Sequence, residues 1–335
     1  MSDKYEIIAK IGGSSYSKVF KVKNKLSNEI VVKKMTEIDP NTKKYTDGER
    51  KINEMLRSHT PKFINYSIEE FIETNIEFNP ALGHISKQYS VLILPYCNAG
   101  DLEKYIEHKI LLSEDNAKPI IYQILMAVEF CHQHNIIHRD LKLQNILLNT
   151  LDSTLYAYLC DFGISKQTEF STQSVLGTYS YMAPEIFEAL FINRVSIGYD
   201  KRVDIWSFGI MVYKILIGSL PLNYIDDFRA FLDHKTIKVD ESRGLSLCAL
   251  SFIECCLQID PNRRKSASYL LEHEFMTCSH IPWYYFKWVE DEGKNQKIDS
   301  SAYNSTISMQ NRKLESNVFM SDVLLSSFSL YLENE

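Results

Sequence analysis

Two short stretches near the middle of the chain place carboxylate, amide and lysine side chains at spacings suited to chemistry on phosphate groups. The first, IIHRDLKLQNILL at 136–148, carries Asp140, Lys142 and Asn145. The second, CDFGIS at 160–165, carries Asp161. Mg²⁺ prefers a few hard oxygen ligands together with phosphate oxygens and water, so Asn145 and Asp161 are suited to bind it. Phosphoryl transfer requires mainly such charge neutralisation and an acceptor hydroxyl held in line.

Three ordered motifs resemble those of the eukaryotic protein kinase family. H-R-D-L-x-x-x-N matches residues 138–145, D-F-G matches residues 161–163, and A-P-E matches residues 183–185 within GTYSYMAPE. The resemblance covers roughly residues 5 to 278. It implies an α+β fold of two lobes, with a small β-rich amino-terminal lobe and a larger, mainly helical carboxy-terminal lobe.

The resemblance also implies a role for each polar residue of these motifs. Asp140 would accept the proton of a substrate hydroxyl, and Lys142 would lie beside the transferred phosphate of ATP. Thr178 would brace the same site, while Asn145 and Asp161 would bind Mg²⁺. A lysine at position 142 resembles serine/threonine kinases more than tyrosine kinases.

A strand lysine should reach the α- and β-phosphates of ATP, and IVVKKM at 30–35 offers two candidates. Lys33 keeps the apolar-small-apolar-lysine frame that begins at Val31. Choosing Lys34 instead would place Lys33 on the buried face of an alternating strand. We therefore prefer Lys33 and keep Lys34 as the alternative.

The strand lysine should pair with a glutamate on the helix expected from Thr46 to His59. Glu49 is favoured, because apolar residues fall three and seven positions later on the same face. Glu54 is the competitor. Asn53 counts against Glu49, since the family usually has an apolar residue at that position.

The glycine-rich loop of the family, G-x-G-x-x-G-x-V, is matched only in part by IGGSSYSKVF at 11–20. Ser14 and Ser17 stand where the pattern has glycine, and serine resists positive φ more than glycine does. We expect slower or weaker closure over the nucleotide and no loss of chemistry. The nucleotide-binding residues expected here and on the following strand are Ile11, Gly12, Gly13, Val19 and Val31.

The stretch LILPYCNAGDL at 92–102 resembles the hinge between the lobes. Leu94 would be the gatekeeper residue, and main-chain groups of Pro95 and Cys97 would bind adenine. Proline is compatible with this role, because its carbonyl is used and its missing N–H is not required. Asp101 would bind the ribose.

Regulation by phosphorylation is expected in the segment between D-F-G and A-P-E. Arg139 would gain a charge-assisted partner from a phosphate there, and Ser174 matches the usual phosphorylation position. Glu185 and Arg264 resemble the buried ion pair that fixes this segment. Asp204 resembles the helix aspartate that holds the backbone of the catalytic loop.

Local patterning supports this organisation. Residues 5–38 contain three β-rich runs, and residues 72–88 are predicted to form a polar loop that leads into a buried strand at 89–94. Helical patterns dominate from Leu102, and we expect helices at 203–218 and 245–259. The domain is predicted at 5–278, with the lobes meeting near residues 96 and 97. A tail at 279–335 combines a polar linker with a possible docking helix.

Composition excludes several other classes of protein. The chain has 335 residues, is 45% hydrophobic and has a net charge of -6, so a nucleic-acid binder is not expected. Seven cysteines without regular spacing favour a reducing compartment, either the cytoplasm or the nucleus. No membrane span is expected. The expected partners are a protein substrate and an upstream activating kinase.

A second interpretation comes from a different class. A pseudokinase would keep the fold as a scaffold or nucleotide-binding module with little transfer activity. The serines of the nucleotide loop favour it. The joint presence of Asp140, Asn145 and Asp161 favours the active enzyme.

Overall fold

A computed structural model describes residues 4–79, 83–107, 112–152, 154–164, 179–189, 200–221 and 244–277. The chain divides into two compact units. The first comprises residues 1–151 and 155–280, and the second comprises residues 152–154 and 281–335. The predicted tail, with its linker and docking helix, lies outside the described residues. The architecture below is that of the first unit.

The amino-terminal part forms a five-stranded antiparallel sheet with the strand order β1-β2-β3-β5-β4. The three β-rich runs predicted from the sequence are its first three strands, because alternating β-branched and polar residues suit a sheet with one buried face. The strands are β1 (Tyr5–Gly13), β2 (Ser17–Asn24), β3 (Ile30–Glu37), β4 (Glu69–Asn79) and β5 (Gly83–Pro95).

The β4–β5 hairpin corrects one expectation, since residues 72–88 were predicted to be a polar loop. Residues 72–79 and 83–88 instead belong to two long paired strands. The glutamates of β4 made this segment look solvated, but Glu69, Glu73 and Glu77 share one face and each pairs with a lysine. On the other face, Ile72 and Ile76 are exposed.

The sheet curls into a half-barrel. β1 and β4 are its opposite edges, yet the Tyr5 hydroxyl donates a hydrogen bond of 2.7 Å to Glu69 of β4. Lys18 of β2 similarly forms an ion pair of 3.1 Å with Glu77. A cluster of buried apolar residues fills the half-barrel, including Val22, Met35, Val91 and Ile93.

Helix α1 (Lys43–His59) begins slightly earlier than predicted and buries the face that carries Glu49 and Leu56. Asn53 is also buried on this face, where its side chain bonds both to the helix and to the segment that follows it. Its Nδ2 donates to the Glu49 carbonyl at 2.9 Å, and its Oδ1 accepts the Ser67 N–H at 2.7 Å. Both polar groups of the Asn53 side chain are therefore hydrogen-bonded, so an asparagine at this position does not count against Glu49.

The carboxy-terminal part is mainly helical, with a two-stranded sheet of β6 (Ile146–Leu151) and β7 (Thr154–Leu159). The helix at Arg202–Ile217 has buried residues on nearly every side, among them Trp206 and Phe208, as its continuous apolar run predicts. The helices are α2 (Leu102–Glu107), α3 (Glu114–Gln133), α4 (Pro184–Phe187), α5 (Arg202–Ile217), α6 (Leu247–Cys256), α7 (Ala267–Leu271) and α8 (Glu274–Thr277).

The predicted α+β architecture of two lobes is confirmed by this division into sheet and helices. In the part of the chain that the structure describes, no helix combines the length and apolarity required to cross a membrane.

Candidate active site

The two faces of β3 separate the two candidate lysines. Lys34 lies opposite Val19 of β2 and Leu92 of β5, whereas Lys33 lies opposite Phe20 and Ile93. Directly paired residues on neighbouring strands project from the same face of a sheet. Lys34 therefore shares a face with Val19, one of the residues predicted to bind the nucleotide.

Lys34 connects the helix to the aspartate of the D-F-G motif. Its ammonium group lies 2.7 Å from Glu49 Oε1 and 2.8 Å from Asp161 Oδ1. Glu49 is thus the helix partner of the strand lysine, while the competitor Glu54 is exposed. The preference for Lys33 in this pairing is wrong.

Lys33 lies on the opposite face, inside the half-barrel. Its ammonium group lies 2.5 Å from Glu73 Oε2, and both side chains are largely buried. A lysine is accommodated on the buried face of β3, against the expectation from alternation, because Glu73 supplies the opposite charge. Val31, predicted to bind the nucleotide, also lies on this face, in the apolar cluster. It therefore does not share the face of Lys34, which corrects that prediction.

The charges around Lys34 set the protonation states of the site. Burial alone would lower the pKa of Lys34, but the negative charges of Asp161 and Glu49 outweigh it and raise that pKa. The charge of Lys34 in turn holds the pKa of Asp161 well below its usual value, against the effect of burial. Lys34 is therefore a cation and Asp161 an anion at neutral pH.

The catalytic loop brings together the three polar residues predicted for it. Lys142 Nζ lies 2.8 Å from Asp140 Oδ2. The amide of Asn145 donates to the Asp140 carbonyl at 2.8 Å and to Asp140 Oδ2 at 3.0 Å. The Asp140 carboxylate is thus oriented by two donors, as a positioned proton acceptor must be.

Asp204 holds the backbone of this loop, as predicted. Its carboxylate accepts the N–H groups of His138 at 2.9 Å and Arg139 at 2.8 Å. His132 lies 3.0 Å from the same carboxylate. Arg139 has φ of 68°, an unusual value for a non-glycine residue, and these bonds maintain it.

The D-F-G segment packs between the catalytic loop and α1. Phe162 is buried and meets the His138 ring edge-to-face, with the centroids 5.1 Å apart. Gly163 approaches Glu49 so closely that a Cβ at this position would lie 3.0 Å from Glu49 Oε1. A glycine here lets Glu49 reach Lys34.

The nucleotide loop joins β1 to β2, and Ser14 organises its tip. Ser14 Oγ accepts the N–H groups of Tyr16 at 3.3 Å and Ser17 at 3.2 Å, and it lies 3.0 Å from Ser17 Oγ. Gly12 pairs with Val19, and Gly13 has φ of 148°. Ser14 therefore occupies two loop N–H groups that would have no side-chain acceptor if residue 14 were glycine.

The hinge residues lie at the end of β5 and beyond it. Leu94 pairs with Val32, so it shares the face of Lys34. The Asp101 carboxylate accepts the Lys104 N–H at 3.0 Å and thereby caps α2. Asn65 also contacts this segment, since its side chain donates to the Pro95 carbonyl. The sequence did not indicate this contact, because Asn65 lies far from the hinge in the chain.

The remaining predictions concern control and substrate. The ion pair of Glu185 and Arg264 is present, with 2.6 Å between Glu185 Oε2 and an Arg264 nitrogen. Ser174 and Thr178 lie outside the described residues. The roles predicted for Ile11, Gly12, Gly13, Cys97, Asp101 and Arg139 stay predictions.

The site could hold Mg²⁺ between Asp161 and Asn145. Among the described residues, no group of three or more histidine, cysteine, aspartate or glutamate side chains could hold a metal by itself. Asp161 and Asn145 offer the oxygen ligands that Mg²⁺ prefers, and phosphate oxygens and water would supply the others.

The family model described as "Protein kinase domain" matches residues 5–276 of the chain. The matched range includes Lys34, Glu49, Asp161 and the catalytic loop. The chain belongs to the protein kinase family.

Similar proteins carry the names of serine/threonine kinases. The chain is 30% identical over 288 residues to serine/threonine-protein kinase ULK3 of Xenopus laevis, covering 82% of this chain and 55% of the relative. It is 31% identical over 280 residues to serine/threonine-protein kinase hippo of Drosophila melanogaster, covering 81% of this chain and 38% of the relative. The chain thus matches about half of the first relative and a smaller share of the second.

Proposed function

We propose that the protein is an ATP-dependent serine/threonine kinase that transfers the γ-phosphoryl group of Mg-ATP to a hydroxyl group of a protein substrate. The observation that carries this proposal is Lys34, held between Glu49 and Asp161. Protein kinases use this ion pair together with the metal-binding aspartate to orient the phosphates. The names of the similar proteins and Lys142 support the serine/threonine type.

Each residue of the site has a chemical task in this reaction. Lys34 binds the α- and β-phosphates, and Asp140 accepts the proton of the substrate hydroxyl as the new bond to phosphorus forms. Lys142 neutralises charge on the transferred group. Asp161 and Asn145 would hold Mg²⁺, which neutralises the phosphates when bound.

Phosphorylation of a generic acceptor protein with Mg-ATP tests the proposal. We expect transfer by the wild-type protein and a loss of at least about 100-fold in the Asp140→Asn variant, whose amide cannot accept the proton. Equal signals from the two proteins would rule out the kinase activity. In that case, a thermal shift with Mg-ATP would support the alternative of a nucleotide-binding pseudokinase, which the hydrogen-bonded turn at Ser14 favours.

We also propose control by phosphorylation of Ser174, with Arg139 as the cation that binds the phosphate. The main chain of Arg139 is fixed by Asp204, which places the side chain at the start of the catalytic loop. Ser174→Ala should lower the activity of enzyme prepared with an activating kinase. Unchanged activity of this phosphorylated preparation would contradict the proposal.

A cytoplasmic location is proposed on the cysteine content alone, and imaging of the tagged chain would test it.

A further inference from the structure

A buried asparagine connects the hinge to the segment between α1 and β4. Asn65 is 4% exposed, and its Nδ2 donates to the Pro95 carbonyl oxygen at 3.1 Å. The same nitrogen lies 3.3 Å from Cys97 Sγ. Pro95 and Cys97 are the two residues whose main chain is expected to bind adenine.

The main chain of Asn65 is itself fixed. Its N–H donates to the Leu159 carbonyl at 2.8 Å, and the Leu159 N–H donates to the Phe63 carbonyl at 2.9 Å. Leu159 ends β7, two positions before Asp161. The main chain of Asn65 is thus held by the end of the strand that leads to Asp161, while its side chain bonds to the hinge.

Stability alone does not account for an asparagine at this position. Asn65 Oδ1 is buried and has no hydrogen-bond partner among the described residues. An unpaired buried acceptor destabilises the folded state, and an apolar side chain of the same shape would avoid that cost. The opposite amide orientation would place Oδ1 against the Pro95 oxygen, so the observed one makes Nδ2 the donor. What an asparagine provides here, and an apolar side chain would not, is the hydrogen bond to the Pro95 carbonyl.

A carbonyl oxygen has two lone pairs, and Asn65 occupies one of those of Pro95. We propose that Asn65 is a positioning residue for base recognition: it fixes the Pro95 carbonyl so that the second lone pair accepts the exocyclic amine of adenine. The proposal rests on the proposed ATP-dependent activity. It assigns to Asn65 a selective effect on nucleotides that carry this amine.

Equilibrium binding of two nucleotides separates this role from a structural one. Dissociation constants are measured by calorimetry for ADP and for purine riboside 5′-diphosphate, which lacks the exocyclic amine. In Asn65→Leu and Asn65→Asp, which both remove the donor, ADP binding should weaken about threefold to tenfold. The dissociation constant of the analogue should change by less than about twofold, because it forms no hydrogen bond to Pro95 through an amine. Asn65→Asp keeps the size of the residue while replacing the amide donor by a carboxyl group, and it decides the matter if Asn65→Leu does not fold.

Asn53→Leu is the matched control. Asn53 is also a buried asparagine that bonds to the segment after α1, but its bonds go to Glu49 and Ser67 and not to the hinge. Its replacement should lower the thermal midpoint and leave the ratio of the two dissociation constants unchanged. In steady-state kinetics, the Asn65 variants should raise the KM for ATP with little change in kcat.

Two results would overturn the inference while leaving the kinase activity intact. The Asn65 variants could weaken ADP and the analogue equally, which would indicate a purely structural role. They could also bind ADP more tightly, which would mean that Asn65 competes with adenine for the carbonyl. A wild-type protein that binds neither nucleotide and transfers no phosphate would overturn the proposed function as well.

Discussion

The ammonium group of Lys34 lies 2.7 Å from Glu49 and 2.8 Å from Asp161, two carboxylates that are 112 positions apart in the chain. One side chain of the sheet therefore joins helix α1 to the D-F-G segment. Its neighbour Lys33 contributes nothing to this site and pairs inside the half-barrel. The two adjacent lysines should respond differently to the same substitution.

Lys34→Met should reduce kcat/KM by about 100-fold to 1,000-fold, because it removes a preorganised cation from the phosphates. Lys33→Met should keep a kcat/KM within about tenfold of wild type when measured at a temperature where the variant remains folded. Steady-state phosphorylation assays of the two purified variants provide the comparison. Equal losses in both would contradict the assignment of Lys34.

The buried pair of Lys33 and Glu73 should behave differently in single and double variants. Removing one partner leaves an unpaired buried charge, so Lys33→Met or Glu73→Leu alone should lower the free energy of unfolding by about 3–5 kcal/mol. The double variant should recover most of the loss. Lys104→Met breaks an exposed pair with Asp101 and should cost less than about 1 kcal/mol. Chemical denaturation measures all four, and an additive double variant would count against this pairing.

Gly163→Ala should lower kcat about tenfold to 100-fold. The added Cβ would lie 3.0 Å from Glu49 Oε1, which displaces the carboxylate from Lys34. Gly12→Ala is a useful comparison, because its Cβ would meet Val19 at an ordinary 3.7 Å. A Gly163→Ala enzyme with wild-type kcat would show that Glu49 tolerates the displacement.

Replacing both Ser14 and Ser17 by glycine should lower the KM for ATP about twofold to tenfold. Ser14 Oγ now accepts two loop N–H groups that phosphate oxygens could otherwise use, and the substitution releases them. Ser14→Ala removes the same acceptor without adding glycine's freedom, so it separates the two effects. An unchanged KM in the double variant would mean that the serines do not hinder nucleotide binding.

Tyr89 should make stability depend on alkaline pH. Burial, aided by Glu77, raises its pKa to about 12, whereas an unfolded tyrosine titrates near pH 10. Its contribution is therefore complete below about pH 10 and is lost as the pH rises towards about 12. Denaturation at pH 8 and pH 11 should show the advantage of wild type over Tyr89→Phe shrinking. A constant difference would contradict this linkage.

Much of the site could be predicted from the sequence because its residues are close together in the chain. Asp140, Lys142 and Asn145 lie within one loop, and their motif fixes their order. The choice between Lys33 and Lys34 depended on which face of β3 is turned towards α1. That follows from the curl of the sheet and from Glu73, which lies 40 positions away.

Other features depend on contacts that no local pattern encodes. The glutamates of β4 read as a polar loop, because the lysines that neutralise them come from distant parts of the chain: Lys4 before β1, Lys18 in β2 and Lys33 in β3. Asn65 gave no signal at all in the sequence, since its partner Pro95 lies 30 positions later. A buried polar side chain acquires its meaning only from the groups that the fold brings to it.

The row of Glu69, Glu73 and Glu77 also fixes the register of β4 in the sheet. A slip of β4 by a single position would turn all three carboxylates away from their lysines and drive Ile72 and Ile76 into the half-barrel. Apolar contacts alone would penalise that error weakly, because isoleucine is acceptable inside. The slip would also leave the buried Lys33 without its carboxylate, so the ion pair with Glu73 opposes the wrong register more strongly than apolar packing does.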